Sequence, residues 1–419
     1  MFPLCSDLLL LTVHICIIFF TSSFLTGTGA PALARDKCKE FLSTSVPFGV
    51  TTIALSYEWL TLADSVRNSM IDDDWSMDLA TKHAALKLCH DDICFGTQEG
   101  RVSMAKTGAY HQVNLSECIT QRLVRLLTYL HFQNPDRGWD TYLLNITEEE
   151  ALSSPSDSIV LQGEKSFIAT IDWSKIILSG HSQGAGHAAF IAMHKTVGRV
   201  ALFSGPQEGL EDGFYEADKQ HWLSKEIATP AHCWFALKHA NEEDTARLIL
   251  DNWAVMPAFK EKHMYGLDIV KIQSTSWGKQ VSEIRALRRR NQTKPRLFET
   301  FLPYEGYEEG VEKPGRPYHC STIMDDSVPL IDAKSGGAED GQQIGDIKTC
   351  VYKKIIWPFI LIGDRGIMNV DPSEFQGYWK VRTEADLLPG GLLPEDNSKK
   401  AEFNVTTPLK DGRGVLFLN

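Results

Sequence analysis

The chain has 419 residues, 43% of them apolar, and its 42 basic side chains against 54 acidic ones give a net charge of −12 with histidines neutral. This is a globular composition, long enough for one large core or two modest ones. The acidic balance argues against nucleic acid as a partner, because a phosphate-backbone binder needs a basic face. Leu8 to Phe20 is the one continuous apolar run, whereas a polytopic membrane protein would need several runs of about 20 such residues.

That apolar run supports two readings. Residues 8–20 (LLLLTVHICIIFF) have the character of a signal-peptide h-region, and Ala32-Leu33-Ala34 offers a small-x-small cleavage site before Arg35. The n-region lacks the usual positive charge: no Lys or Arg precedes Arg35, and Asp7 is negative. Alternatively, residues 16–25 (CIIFFTSSFL) form a buried strand that runs into the Gly-rich turn at residues 26–31. An uncleaved anchor at residues 8–20 would give a membrane-attached form. Sequons at Asn114, Asn145, Asn291 and Asn404, together with the leader, point to the secretory pathway or the extracellular space and to N-glycosylation. Nine cysteines are too few for a disulfide scaffold and more than a reduced cytosolic enzyme needs.

Past the leader, residues 31–43 read as a helix and residues 50–57 (VTTIALSY) as a buried strand rich in β-branched side chains. Residues 58–110 are polar and read as an irregular excursion from the core. In residues 118–132, Ile119, Leu123, Leu126, Leu127 and Leu130 fall on one helical face, and Asn134-Pro135 ends the helix. Three strands are expected at residues 175–179, 199–204 and 233–238, the first two separated by a helix over 184–197. A last strand is expected at residues 297–302 and a helix at 350–357. Buried strands alternating with helices imply an α/β fold with a mostly parallel sheet covered on both faces. The tail beyond Pro358, rich in Gly, Pro and charge, reads as a loose extension.

Residues 175–186 read KIILSGHSQGAG, an apolar strand followed by Gly180-His181-Ser182-Gln183-Gly184 and the start of a small-residue helix. A G-x-S-x-G elbow in this context presents a serine nucleophile on a strained strand-to-helix turn, whose glycines let strand and helix approach closely. Such a serine needs a histidine base, and the histidine needs a carboxylate to hold its tautomer. The loop at residues 239–244 places acids just past a strand's carboxyl end, where open α/β sheets build their sites. Asp244 is the expected acid, with Glu243 second. His319 is the expected base over His263, which sits on a charged, exposed-looking face. The oxyanion donors are expected from the backbone of Gln183 and from the turn at Gly27, Thr28 and Gly29.

These residues resemble the α/β-hydrolase superfamily, and more closely a branch of it found in bacteria and eukaryotic microbes. The resemblance rests on the Gly-Thr-Gly turn at 27–29, Leu55-Ser56-Tyr57, Cys89 with Cys94, Gly138-Trp139, the GHSQGAGHAA elbow at 180–189, the strand at 199–206 and His319-x-Ser321. It spans residues 24–357 and implies an α/β-hydrolase domain there, preceded by a hydrophobic leader at 1–23 and followed by an extension at 358–419. It also implies a nucleophile at Ser182, an acid near Asp244 and a base at His319.

Cys89 and Cys94 are expected either to close a short disulfide or to remain thiols. A structural zinc site built on them with His90, Asp91 and Asp92 would want a second ligand pair. His187 and His194, seven apart on the helix after the elbow, face the same way, and core packing explains them. The resulting expectation is a serine hydrolase, of carboxylesterase or lipase type, acting on a small-molecule or lipid-like acyl substrate with no cofactor and no metal. The alternative is a hydrolase-fold binding or interaction module without turnover.

Overall fold

The protein is described here from a computed structural model, which covers residues 15–20, 41–42, 44, 50–55, 57, 79–96, 113–162, 166–208, 221–242, 245–259, 269–272, 296–300, 317–323, 352, 356–362, 403–405 and 415–418. Within these residues the chain is a mixed α/β structure, with a parallel sheet packed against helices and a small antiparallel sheet beside it.

The main sheet is built from β1 (Ile15–Phe20), β2 (Thr51–Leu55), β6 (Ile176–His181), β7 (Arg199–Phe203), β8 (Trp234–His239), β9 (Ile269–Ile272), β10 (Leu297–Thr300), β11 (Phe403–Val405) and β12 (Val415–Leu418). Their order is β11-β12-β2-β1-β6-β7-β8-β10-β9, and every pairing is parallel except β11 with β12. The small sheet has the order β3-β5-β4, from β3 (Leu143–Asn145), β4 (Ser158–Leu161) and β5 (Phe167–Ile171).

Alternation along the central strands sends side chains to two covered faces. On one face Leu178, Val200, Leu202 and Ala236 join a core with Leu123, Leu127, Phe190 and Trp253. These last four come from helices α2 (Ile119–Gln133), α4 (Gln183–His194) and α5 (Thr245–Val255). On the other face Phe203 meets Phe41, which in turn meets Trp357, while Phe235 and Phe298 both meet Phe359. Trp357 and Phe359 lie on α7 (Trp357–Ile362). The remaining helices are α1 (Leu79–Phe95), α3 (Glu148–Ser153) and α6 (Pro317–Ser321).

The structure departs from the sequence expectations in several places. The excursion at residues 58–110 contains α1, a 17-residue helix packed on α4. The C-terminal extension contributes β12, which pairs with β2, so it belongs to the sheet. Of the two readings of the apolar leader, residues 15–20 follow the strand one, forming β1 between β2 and β6. A late helix spans Trp357–Ile362; of the residues before it in the helix expected at 350–357, Tyr352 and Ile356 are helical and the others lie outside the described residues. Most of the helix expected at 31–43 lies outside the described residues, within which Phe41 and Leu42 are helical. Among the described residues no helix is long and apolar enough to cross a membrane.

Cys89 and Cys94 are both thiols and do not form a disulfide. They sit five residues apart on α1, and at about 1.5 Å rise per residue their Cα atoms are about 7.5 Å apart along the helix axis alone. A disulfide spans at most about 7 Å between Cα atoms. Of the sequons, Asn114 and Asn145 are exposed, Asn404 lies on β11, and Asn291 is outside the described residues.

Candidate active site

Parallel strands end on the same side of the sheet, and the residues following β6, β7 and β8 meet there. Ser182, directly after β6, has φ 57° and ψ −124° and starts α4. A positive φ costs a side-chain-bearing residue conformational energy, so it persists only where the surroundings enforce it. Here the ladder and the helix both do: Ser182 N–H donates to Phe203 O on the next strand (2.9 Å), and Ser182 O accepts from Ala185 N–H (3.0 Å). A Cβ at Gly180 would strike the Gly184 backbone, and one at Gly205 would come within 2.6 Å of Ser182 O. Glycine at these positions allows strand, helix and crossing loop to approach this closely. The Ser182 hydroxyl does not cap the helix it starts, so it is not committed to the N–H groups of α4.

Beside this turn is a buried histidine–carboxylate pair. His319 on α6 donates its Nδ1–H to Glu242 Oε2 at 2.8 Å, with the two side chains 1% and 0% exposed. His181, the residue before Ser182, donates Nε2–H to His319 O (2.8 Å), and the two imidazoles are 4.7 Å apart. His319 is therefore fixed at its main chain by the elbow and at its ring by Glu242. Desolvation, with a contribution from His319, lowers the His181 pKa to about 3, so His181 serves as a neutral donor.

Glu242 is held from two strands. Its Oε1 accepts from His239 N–H at the end of β8 (2.7 Å) and from the Ser204 hydroxyl just past β7 (2.8 Å). Ser204, like Ser182, has a positive φ, 49°. Its hydroxyl also lies 2.9 Å from His319 O and 2.7 Å from Thr322 Oγ1. Having a single proton, it donates best to the carboxylate and accepts from Thr322. Burial pushes the Glu242 carboxyl up to about 7, against the opposing pull of the His239 N–H, the Ser204 hydroxyl and the nearby His181 and Lys238. Lys238 is itself fully buried and paired at 2.7 Å with Glu299 on β10.

Ser182 and His319, expected together from sequence, thus occupy one end of the sheet, linked through His181. The acid facing the histidine is Glu242. Asp244 and Glu243 lie outside the described residues, as do His263 and the turn at Gly27, Thr28 and Gly29. Gln183 is the first residue of α4, and its side-chain amide nitrogen and oxygen are buried with no hydrogen-bond partner among the described residues. Gln207 places its amide 3.3–3.4 Å from both ring nitrogens of His319. Sequence reasoning missed Glu242, Ser204 and Gln207. The one local signal for Ser204 was its place at a strand's carboxyl end.

On the hydrolase reading proposed below, Ser204→Ala should lower kcat about 10–100-fold, the range set by a charge-assisted hydrogen bond of about 1.5–3 kcal/mol. The lost donor no longer favours the carboxylate, so the acid limb of the pH–kcat profile should move to higher pH. A purely structural defect would leave that limb in place.

No family model matches the chain, and no curated protein or solved structure matches it.

Proposed function

We propose that the protein is a serine hydrolase of α/β-hydrolase type that cleaves an ester or related acyl bond. The observation that carries this reading is Ser182 at positive φ between β6 and α4, with the His319–Glu242 pair anchored to the adjoining residue. In this mechanism His319 Nε2 takes the Ser182 proton as the oxygen attacks the acyl carbonyl, and Glu242 steadies the imidazolium through Nδ1–H. The Gln183 backbone N–H receives the developing oxyanion, with the Gly27–Gly29 turn as the second donor. His319 then delivers the proton to the leaving group, and water, deprotonated by the same imidazole, releases the acid and regenerates Ser182. The partnerless Gln183 amide suits a contact to a polar part of the substrate. The exposed sequons at Asn114 and Asn145 support a secretory location.

The test is labelling of the purified protein with a fluorophosphonate. Wild-type protein should be labelled, and Ser182→Ala, with unchanged circular dichroism, should not. A folded wild-type preparation that resists labelling would overturn the enzyme reading in favour of a binding module without turnover.

A further inference from the structure

A second cluster of buried polar side chains lies where α1 packs on α4. His90 and Cys94, one turn apart on α1, meet His187 on α4. His90 Nδ1 is 3.0 Å from His187 Nδ1, and Cys94 Sγ is 3.8 Å from that same His187 nitrogen. All three ligand atoms fall within 4.8 Å of one another, and the residues are 1%, 0% and 1% exposed. We infer that His90, Cys94 and His187 hold a single zinc(II) ion, which fastens α1 to the helix that carries Ser182.

The two distances made by His187 lie within a few tenths of an ångström of those around that ion. Zinc bonds of about 2.0–2.1 Å to nitrogen and about 2.3 Å to sulfur, at tetrahedral angles, separate two nitrogens by about 3.3 Å and nitrogen from sulfur by about 3.6 Å. An imidazole and thiolate ligand set is one that zinc favours. At His90 the outer shell is also present. His90 turns its other nitrogen, Nε2–H, to Glu208 Oε1 at 2.9 Å, the carboxylate contact that fixes the tautomer and orientation of metal-bound histidines. Space for this contact depends on Gly186, where a Cβ would come within 2.8 Å of Glu208 Oε1 and 3.2 Å of His90 Cε1.

The Glu208 carboxyl beside His90 lies in the same buried cluster. A zinc ion entering the cluster displaces the Cys94 proton to solvent. Its two positive charges then balance one thiolate and one carboxylate in a site with little water. A fourth position falls to a non-protein ligand. The second ligand source that residues 89–94 lack comes from His187, 93 residues beyond Cys94.

The test uses the full chain, purified without a metal-binding tag. Elemental analysis of wild-type protein should give about one zinc per chain. After removal of zinc by a chelator, added cobalt(II) should produce a thiolate-to-cobalt charge-transfer band and the strong visible bands of a tetrahedral site. Cys94→Ser should abolish the charge-transfer band, Cys89→Ser on the same helix should keep it, and Glu208→Gln should weaken cobalt affinity about 10–100-fold. Folded wild-type protein with negligible metal and no band on cobalt addition would overturn the site, leaving His90 hydrogen-bonded between Glu208 and His187. A band that survives Cys94→Ser would overturn it equally, and if that variant fails to fold, the wild-type measurements decide alone. These readouts follow metal and not hydrolysis, so their outcome is independent of the proposed activity.

Discussion

Glu242→Gln should lower kcat by about 10⁴-fold, the loss that follows when a triad carboxylate becomes an amide, while making the protein more stable above pH 7. The two effects have one origin. In the proposed mechanism the carboxylate is needed because its Oε2 accepts the His319 Nδ1–H and so leaves Nε2 free to take the serine proton. A glutamine would keep the His239 and Ser204 hydrogen bonds on Oε1 and turn an NH2 toward Nδ1, forcing the proton to Nε2. The imidazole would then be in the wrong tautomer to act as a base, although the packing would hardly change.

The stability gain follows from linkage. The Glu242 carboxyl is raised from an ordinary 4.5 to about 7 in the folded chain. Below about 4.5 both folded and unfolded chains carry the proton and the folded state bears no penalty. As pH rises toward 7 the unfolded chain releases its proton first, so stability falls, and above about 7 the folded chain carries the full cost of a buried carboxylate. Glutamine has no such cost. Urea unfolding at pH 5 and pH 8 should therefore show wild-type protein losing stability between the two values through this group, and the variant losing less. If the variant is equally active, or if the two proteins show the same pH dependence, Glu242 is not the acid that orients His319. Where activity requires the ionised carboxylate, the wild-type pH–kcat profile should also rise through about pH 7, and the groups facing Glu242, namely His319, Ser204, His239 and the nearby Lys238, set where it does so.

Glu242 shows where sequence reading stops. Residues 242–244 are three consecutive acids after β8, and nothing local distinguishes them. Glu242 is selected by partners that the fold brings in, the Ser204 hydroxyl from β7 and the His319 ring from α6, 38 and 77 residues away. The elbow at Ser182 was legible because its requirements are local: an apolar strand, two glycines and a helix start within a dozen residues. The strands β6, β7 and β8 were legible for the same reason, as short buried runs bounded by turns. Helix α1 was not, because its inward face carries His90, Asp92 and Cys94. Buried polar side chains read as exposed ones when their partners, His187 and Glu208, lie far along the chain. β12 was hidden by its length, four apolar residues in a tail of glycine and charge, and it is a strand because the edge of β2 is there to receive it.

Removal of residues 1–34, which would follow from cleavage after Ala34, should abolish folding and not merely reduce activity. β1 lies in the interior of the sheet, pairing with β2 from Ile15 opposite Thr51 to Phe19 opposite Leu55, and with β6 from Ile15 opposite Ile176 to Phe20 opposite His181. Both neighbours lose one ladder partner on deletion, and the amides and carbonyls of Thr51–Leu55 and Ile176–His181 that face β1 are left without hydrogen bonds. β2 cannot close the gap by moving sideways, since adjacent strands are about 4.8 Å apart and β2 is packed through Ile53 and Leu55 into the same core as Leu178 and Leu202. β12, which is held by β2, would lose its place as well. The damage would reach the site directly, because β6 ends in the His181 that fixes His319 and runs on into Ser182. Expression of full-length protein and of a chain starting at Arg35 distinguishes the cases. The full-length chain should yield a cooperative thermal transition and fluorophosphonate labelling, and the shortened chain should yield neither. A shortened chain that unfolds cooperatively and labels at Ser182 would show that β1 is dispensable, and that the leader acts as a removable targeting segment.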